Sequence, residues 1–123
     1  MGDASYSQGI IGLIAGKLTE IFTRPSIALS IGDVYSKASA RSVSGFNIIE
    51  AFRKVSDILV DVGGHPMAAG FTIETKNIEL FKKRLLEIAE NELNEETLKK
   101  VVTVDTQLTF EQINPDLIKL LNQ

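Results

Sequence analysis

One stretch of the sequence carries most of the information on fold and function: Gly63-Gly64-His65-Pro66-Met67-Ala68-Ala69-Gly70-Phe71. Adjacent glycines permit positive φ angles and let a second molecule approach the main chain closely. The small residues that follow leave space around the imidazole of His65. Backbone N–H groups at a turn of this kind suit a phosphate or another anion. The alternative is a helix C-cap followed by a packed loop, with His65 an ordinary histidine. The stretch alone leaves both open.

The composition indicates an ordinary globular domain that binds anions only locally. The chain has 123 residues, of which 44% are hydrophobic and 24% charged, which is enough for one domain with its own core. Its net charge of −3 argues against a protein that coats nucleic acid by charge alone. No apolar run reaches the length of a membrane span, and the first residues lack a secretory signal. The absence of cysteine excludes disulfides and thiolate metal sites, so we expect a reducing compartment.

Upstream of the glycines, residues 34–43 alternate between two kinds of side chain. Lys37, Ser39 and Arg41 alternate with small residues, Ser36, Ala38, Ala40 and Ser42. This period of two predicts a β-strand that carries two cations and a hydroxyl on one face. The apolar run from Ser26 to Ile31 predicts its hairpin partner. A solvated edge strand is the alternative interpretation of the charged face.

The remaining pattern predicts an α/β fold with a central mixed β-sheet of about four or five strands flanked by helices. Parallel pairing is expected from a helical crossover between the strand of Arg41 and the strand of Phe71. The elements predicted around the Ser26–Ile31 hairpin are helices over 9–23 and 47–62, a strand over 69–74, a helix over 77–93, a strand over 101–110 and a short helix from Pro115. Gly63-Gly64 is expected to end the second helix.

No catalytic motif accompanies these elements. A single histidine without cysteine or suitably spaced carboxylates gives little support for a metal site. The nucleophile elbow of serine hydrolases and the glycine loops of nucleotide-binding enzymes are missing. The residues therefore indicate a domain that binds and does not cut.

Three segments at this spacing resemble one known family. The strand Lys37-Ala38-Ser39-Ala40-Arg41-Ser42, the helix after Gly45-Phe46-Asn47, and the stretch over 63–71 are similar to the DHH-associated (DHHA) domain, in particular that of RecJ-type single-strand-specific exonucleases. The resemblance runs from about Tyr6 to Leu93 and includes Gly9-Ile10-Ile11-Gly12. RecJ-like relatives usually carry Trp-His just before that segment, where Tyr6-Ser7 stand here. No role is carried over to that pair.

The resemblance implies a substrate-binding domain whose catalytic metals, Mn²⁺ or Mg²⁺, lie in a separate domain with an Asp-His-His motif. This chain would then supply no catalytic residue, metal ligand or bound cofactor. The phosphate-binding residues implied by position are Ser39, Arg41, Ser42, Gly63, Gly64 and His65, with Lys37, Ala68 and Ala69 as accessory residues. Arginine offers a bidentate fork to phosphate oxygens, and a serine hydroxyl adds a neutral donor.

The resemblance also implies partners and a layout. The partners would be single-stranded DNA at its 5′ end, the DHH catalytic domain and an oligonucleotide-binding domain of the same protein, without a membrane. We expect 5′-to-3′ digestion in DNA repair and recombination, in the cytoplasm. Residues 1–8 would be an N-terminal segment partly of vector origin, residues 9–94 the DHHA-like domain, and residues 95–123 a connector of one strand and one short helix.

Two other functions are compatible with the sequence. The same module occurs in phosphodiesterases for short oligoribonucleotides or cyclic dinucleotides, although the connector after Leu93 favours the RecJ type. A non-enzymatic nucleic-acid or tRNA-binding module, like the related domain of alanyl-tRNA synthetases, is the other. His65 argues mildly against that one, because such domains tend to carry a different residue after the glycines.

Overall fold

A computed structural model describes residues 1–95, 98–100, 102 and 104–121. The elements in chain order are β1 (Gly2–Asp3), α1 (Ile11–Phe22), β2 (Ser26–Ser30), β3 (Tyr35–Arg41), α2 (Ile48–Arg53), a 3₁₀ turn (Ser56–Ile58), β4 (Leu59–His65), β5 (Ala68–Glu74), a second 3₁₀ turn (Thr75–Asn77), α3 (Ile78–Glu92), a third 3₁₀ turn (Phe110–Gln112) and α4 (Pro115–Leu121).

The strands form one five-stranded mixed sheet in the order β1-β2-β3-β5-β4. The edge strand β1 pairs in parallel with β2, and the other three pairings are antiparallel. The β2–β3 hairpin is the predicted one, with Ser26 opposite Arg41 and Ser30 opposite Lys37. The predicted α/β class with a mixed sheet flanked by helices is therefore confirmed.

One face of the sheet, here called the packed face, carries the main core. Phe71 from β5 contacts Phe52 of α2 at 5.0 Å between ring centroids and Phe81 of α3 at 4.5 Å. Both helices lie on this face, and Ala38, Ala40, Ala69 and Ile73 point toward them from the strands. Aromatic contacts of this kind combine large apolar burial with preferred edge geometry. The packed face therefore supplies most of the stability of the fold.

Helix α1 covers only part of the opposite face. Ile11 and Ala15 pack on Ala28 of β2 in a small separate core. The helix contacts β2 and β3, and Gly12 lets it come close to the side chains of β3. The same face of β5 and β4 is left uncovered by α1. We call the area over β3, β5 and β4 the open face.

The predicted helix over 47–62 is wrong in its second half. Helix α2 ends at Arg53, and β4 begins at Leu59, so Gly63 and Gly64 lie within a strand. The run Leu59-Val60-Asp61-Val62 contains β-branched residues that fit a pleated strand better than a helix. The N–H and C=O groups of β4 are paired with β5 in a hairpin whose loop is only Pro66-Met67.

The predicted parallel pairing between the strands of Arg41 and Phe71 is also wrong. β3 and β5 pair antiparallel, with Arg41 opposite Ala68 and Tyr35 opposite Glu74. The crossover through α2 leads first to β4, which runs in the same direction as β3. β5 then turns back and inserts between those two strands, because a short hairpin forces antiparallel neighbours.

The C-terminal segment shows one predicted element and lacks another. Helix α4 begins at Pro115, and the Asn114 side chain accepts the N–H groups of Asp116 and Leu117 at 3.1 and 3.0 Å, as an N-cap does. The strand predicted over 101–110 is absent from its described part, residues 102 and 104–110. Val102 and Val104 are exposed there. Alternation of side chains predicts a strand only where a neighbouring strand is available for pairing, and these described residues have none. Residues 101 and 103 lie outside the described residues.

Candidate phosphate-binding face

The open face presents its side chains in three cross-strand rows. Residues directly opposite each other in an antiparallel pair share one face of the sheet. The rows, each read from β3 through β5 to β4, are Arg41–Ala68–His65, Ser39–Gly70–Gly63 and Lys37–Thr72–Asp61. The predicted alternation of β3 is therefore confirmed, and the strand pairing brings Gly63, Gly70 and His65 to the same surface as the two cations.

Arg41 is held in place by its own strand and by α1. Its guanidinium Nη1 donates to Ser39 Oγ at 3.2 Å and to the Ala40 carbonyl at 2.9 Å. A Cβ on Gly12 would lie 3.3 Å from Nη2 of Arg41 and 3.4 Å from Ser39 Oγ, so the helix needs a glycine at that point. No acceptor among the described residues binds Nη2, which leaves one side of the guanidinium fork available to a ligand.

His65 ends β4 in the same row as Arg41. The two backbones lie two strands apart, which is about 10 Å in a sheet. The imidazole is exposed and has no hydrogen-bond partner within the described part of the chain. Because Ala68 between them is small, a ligand can lie across this row and contact both side chains.

The two adjacent glycines have different roles. Gly63 lies on the open face, and a Cβ there would meet nothing within 4 Å. Gly64 has φ of +143°, and a Cβ there would lie 2.4 Å from the Cα of Ala69. Its partner Ala69 is buried against the packed face. Gly63 therefore keeps the open face bare, whereas Gly64 and Ala69 are structural residues outside that surface.

Ser42 also lies outside the open face, although it was predicted as a phosphate contact. Its side chain is buried, and its hydroxyl donates to the Phe46 carbonyl at 2.6 Å. Its N–H donates to the carbonyl of Met67, while the carbonyl of Pro66 accepts the N–H of Ile48. The amides of Ser42 and Ile48 therefore hold the hairpin turn against the start of α2. The Ser42 hydroxyl has its own acceptor and is directed away from the open face.

At the Lys37 row the open face deepens into a cleft of about 450 Å³ between α1 and the sheet. Its polar lining includes Gln8, Lys37, Ser39, Asp61 and Thr72, and Gly9 and Gly12 form its wall from α1. Gln8, Asp61 and Thr72 were not predicted from the sequence as site residues. The period of two in the predicted strand over 69–74 could have indicated Thr72, since it lies one residue from Phe71. Nothing in the sequence indicated Asp61, because its segment was predicted as helix.

The first turn of α1 adds unpaired donors to the cleft wall. The Ile10 N-cap provides no side-chain acceptor, and the N–H groups of Ile11 and Gly12 have no acceptor among the described residues. Such groups at a helix start carry partial positive charge. The cleft wall is therefore electrostatically compatible with the anion that Lys37 and Arg41 would attract.

The part of the chain that the structure describes has no site for a divalent metal. It contains no group of three or more His, Cys, Asp or Glu residues close enough to hold an ion. The side chains of this surface are therefore too few to hold Mn²⁺ or Mg²⁺ with three ligands of these types. No helix in the described ranges is long and apolar enough to cross a membrane.

Comparison with known proteins identifies the family. A sequence profile of the DHHA1 domain matches residues 2–91. The chain belongs to the DHHA1 domain family. It is 40% identical over 121 residues to the single-stranded-DNA-specific exonuclease RecJ of Bacillus subtilis, and 31% identical over 121 residues to RecJ of Escherichia coli. These matches cover 97% and 94% of the chain but only 15% and 21% of the two relatives.

Solved RecJ structures have the same DHHA1 fold. A crystal structure of RecJ in complex with Mn²⁺ from Thermus thermophilus superposes with a TM-score of 0.80 and 26% identity, over 99% of this chain and 18% of that one. A structure of RecJ in complex with Mg²⁺ from the same organism gives a TM-score of 0.67 and 30% identity, over 73% of this chain and 14% of that one. The predicted resemblance to the RecJ-type DHHA domain is confirmed.

Proposed function

We propose that this chain is the substrate-binding domain of a RecJ-like, 5′-to-3′ single-strand DNA exonuclease of the DHH phosphoesterase superfamily. The open face holds the terminal phosphate and the following nucleotide. One observation carries the proposal: β3 presents Lys37, Ser39 and Arg41 on a single face, beside a surface kept bare by Gly63 and Gly70. RecJ relatives that share this domain support single-stranded DNA as the ligand.

The roles of the residues follow from their chemistry. Arg41 binds two phosphate oxygens through the free side of its planar fork, and Ser39, which already contacts Arg41, adds a hydroxyl donor. Lys37 supplies a second positive charge further along the strand, where no partner within the described residues neutralises it. His65 donates from the far side of the row. This arrangement neutralises few phosphates, so binding is weak and its salt slope shallow, about −0.7 per phosphate.

Hydrolysis is assigned to a different part of the parent protein. The described residues hold no metal-binding group, whereas RecJ relatives have been solved with Mg²⁺ or Mn²⁺. We therefore assign the metals of the parent to an Asp-His-His domain, to which the open face would deliver the DNA end. The parent would act in DNA repair and recombination in the cytoplasm. The chain by itself binds an end and leaves it intact.

An NMR titration of the ¹⁵N-labelled chain with a 5′-phosphorylated single-stranded oligonucleotide at low salt tests this. We expect amide shifts in Lys37–Arg41, Gly63, His65 and Ala68, and a tenfold to hundredfold loss of affinity in Arg41→Ala, since a hydrogen bond to a charged group contributes about 1.5–3 kcal/mol. Arg41→Lys should restore only part of the affinity because it loses the fork.

Arg53→Ala is the matched control, because Arg53 is an exposed arginine on α2 that pairs with Glu50 away from the open face. It should leave the affinity unchanged. Shifts that appear equally on the packed side, or no shifts at millimolar oligonucleotide, would contradict the proposal. Cleavage of the oligonucleotide by the pure chain with added Mn²⁺ would contradict the assignment of hydrolysis to another domain.

A further inference from the structure

Asp61 is a carboxylate placed on a surface that otherwise suits anions. The pairing of β4 with β5 passes from Leu59 opposite Ile73 directly to Asp61 opposite Thr72, so Val60 is an extra residue at an irregularity in the ladder. Between Asp61 and His65 the ladder is regular, so Asp61 shares the open face with Gly63 and His65, whereas the extra residue returns Leu59 to the packed face opposite Ile73. Regular alternation along β4 therefore directs the carboxylate to the open face, where it lines the cleft.

The Asp61 carboxylate has no structural partner. It is exposed and forms no hydrogen bond or ion pair within the described ranges, in contrast to Glu74 on the same face, which pairs with Lys76. Lys37 is in the same row but two strands away, about 10 Å at the backbone. Thr72, between them, has an equally unpartnered hydroxyl. Asp61 and Thr72 therefore form a polar end of the cleft opposite the cations of β3.

A lone carboxylate weakens phosphate binding unless it contacts another part of the ligand. Asp61 lies two strands across from β3, in the row next to that of Ser39 and one row further from Arg41, so a phosphate held by Ser39 and Arg41 is diagonally opposite it. A nucleotide is long enough to span that diagonal. Gly70 and Gly63, which lie between, leave room for its sugar and base, and a Cβ on Gly63 would meet nothing within 4 Å.

We propose that Asp61 recognises the base of the nucleotide whose phosphate is held by Ser39 and Arg41, by accepting a hydrogen bond from an exocyclic amino group. The inference rests on the proposed function and specifies its ligand. Cytosine N4 and adenine N6 are donors, whereas thymine presents a carbonyl oxygen at the same position. A terminal cytosine or adenine is therefore favoured over thymine, by about threefold to tenfold for one charge-assisted hydrogen bond at an exposed site.

The test compares two 5′-phosphorylated twelve-nucleotide oligomers that differ only in the first base, cytosine or thymine, followed by eleven thymines. Their affinities are measured with the wild-type chain, with Asp61→Asn and with Asp61→Ala. We expect the cytosine-to-thymine affinity ratio to fall from about threefold to tenfold toward one in both variants. Glu74→Gln is the control, since it removes a negative charge from the neighbouring row, and it should leave the ratio unchanged.

The possible outcomes distinguish a failure of base recognition from a failure of the proposed function. If both oligomers bind equally to the wild type and both depend on Arg41, the base recognition is wrong and the phosphate site stands. If Asp61→Asn raises the affinity of both oligomers by the same factor, Asp61 acts only by repulsion and the inference is overturned. If neither oligomer binds, the proposed function fails and base recognition fails with it.

Discussion

The two faces of β3 and β5 are built from the same strands but differ in almost every property. On the packed face, Ala38, Phe71 and Ile73 are buried against two helices. On the open face, the alternating positions carry cations, hydroxyls and a glycine, and only α1 covers part of them. Because side chains alternate between the two faces, successive residues of one strand contribute in turn to the stability of the fold and to the proposed binding surface. Substitutions on one face should change the free energy of unfolding, and those on the other should change affinity.

The largest expected effect is on the packed face, from Phe52→Ala. Phe52 is fully buried and contacts the rings of Phe71 and Phe81 at 5.0 and 5.8 Å between centroids. Removing it should cost about 3–5 kcal/mol in the free energy of unfolding, measured by urea denaturation. A loss below about 1 kcal/mol would show that the three phenylalanines are not the main core.

The second prediction compares the two faces of the sheet at two adjacent residues, Gly63 and Gly64. Gly64→Ala would strain a residue at φ of +143° and place a methyl 2.4 Å from the Cα of Ala69, so we expect a loss of about 1–3 kcal/mol or more. Gly63→Ala adds a methyl to empty space and should change stability by less than about 1 kcal/mol. It should still weaken oligonucleotide binding, because the methyl enters the open face.

Urea denaturation and the NMR titration together decide this pair of substitutions. Equal destabilisation by both glycine substitutions would mean that the two glycines are not divided between the faces. Unchanged binding in Gly63→Ala would mean that the ligand does not lie over that glycine.

The smallest effect concerns acid stability on the packed side. Arg84 of α3 donates to both carboxylate oxygens of Asp57 at 2.7 and 2.9 Å, and this contact lowers the pKa of Asp57 from its ordinary value of 3.8. A lowered pKa means that the stabilisation is complete above pH 3.8 and is lost as the pH falls below it. Unfolding measured from pH 6 downward should show a shallower acid loss in Asp57→Asn than in the wild type.

Glu79→Gln is the control for that series, because Glu79 lies on α3 without an ion pair among the described residues. It should keep the wild-type slope. An identical slope in Asp57→Asn would show that the contact between Asp57 and Arg84 contributes nothing to acid stability.

The sequence predicted the β3 half of the site well and the β4 half poorly. Alternation placed Lys37, Ser39 and Arg41 together because each lies two residues from the next, and this needs no knowledge of a partner strand. The same alternation put Ser42 on the other face, where the structure has it; its role as a phosphate contact came from the family resemblance alone.

β4 could not be predicted in this way. Val55, Ile58, Leu59 and Val62 fit helical spacing, and the β-branched Val60 and Val62 alone do not decide against it, so pairing with β5 makes the segment from Leu59 onward a strand. The position of Asp61 on the open face follows from the register of β4 against β5, in which it lies opposite Thr72. Both are properties of strand register, which local residue patterns do not contain.

The hydrogen bonds that hold the Pro66-Met67 turn restrict the motion of the β4–β5 hairpin. The two carbonyls of the turn accept the amides of Ile48 and Ser42, so the tip of the β4–β5 hairpin cannot lift without breaking its hydrogen bonds to the start of α2 and to the residue after β3. These two amides should exchange with solvent only in openings that expose much of the domain. The surface that would hold DNA is therefore rigid before the ligand arrives, and little conformational entropy is lost on binding.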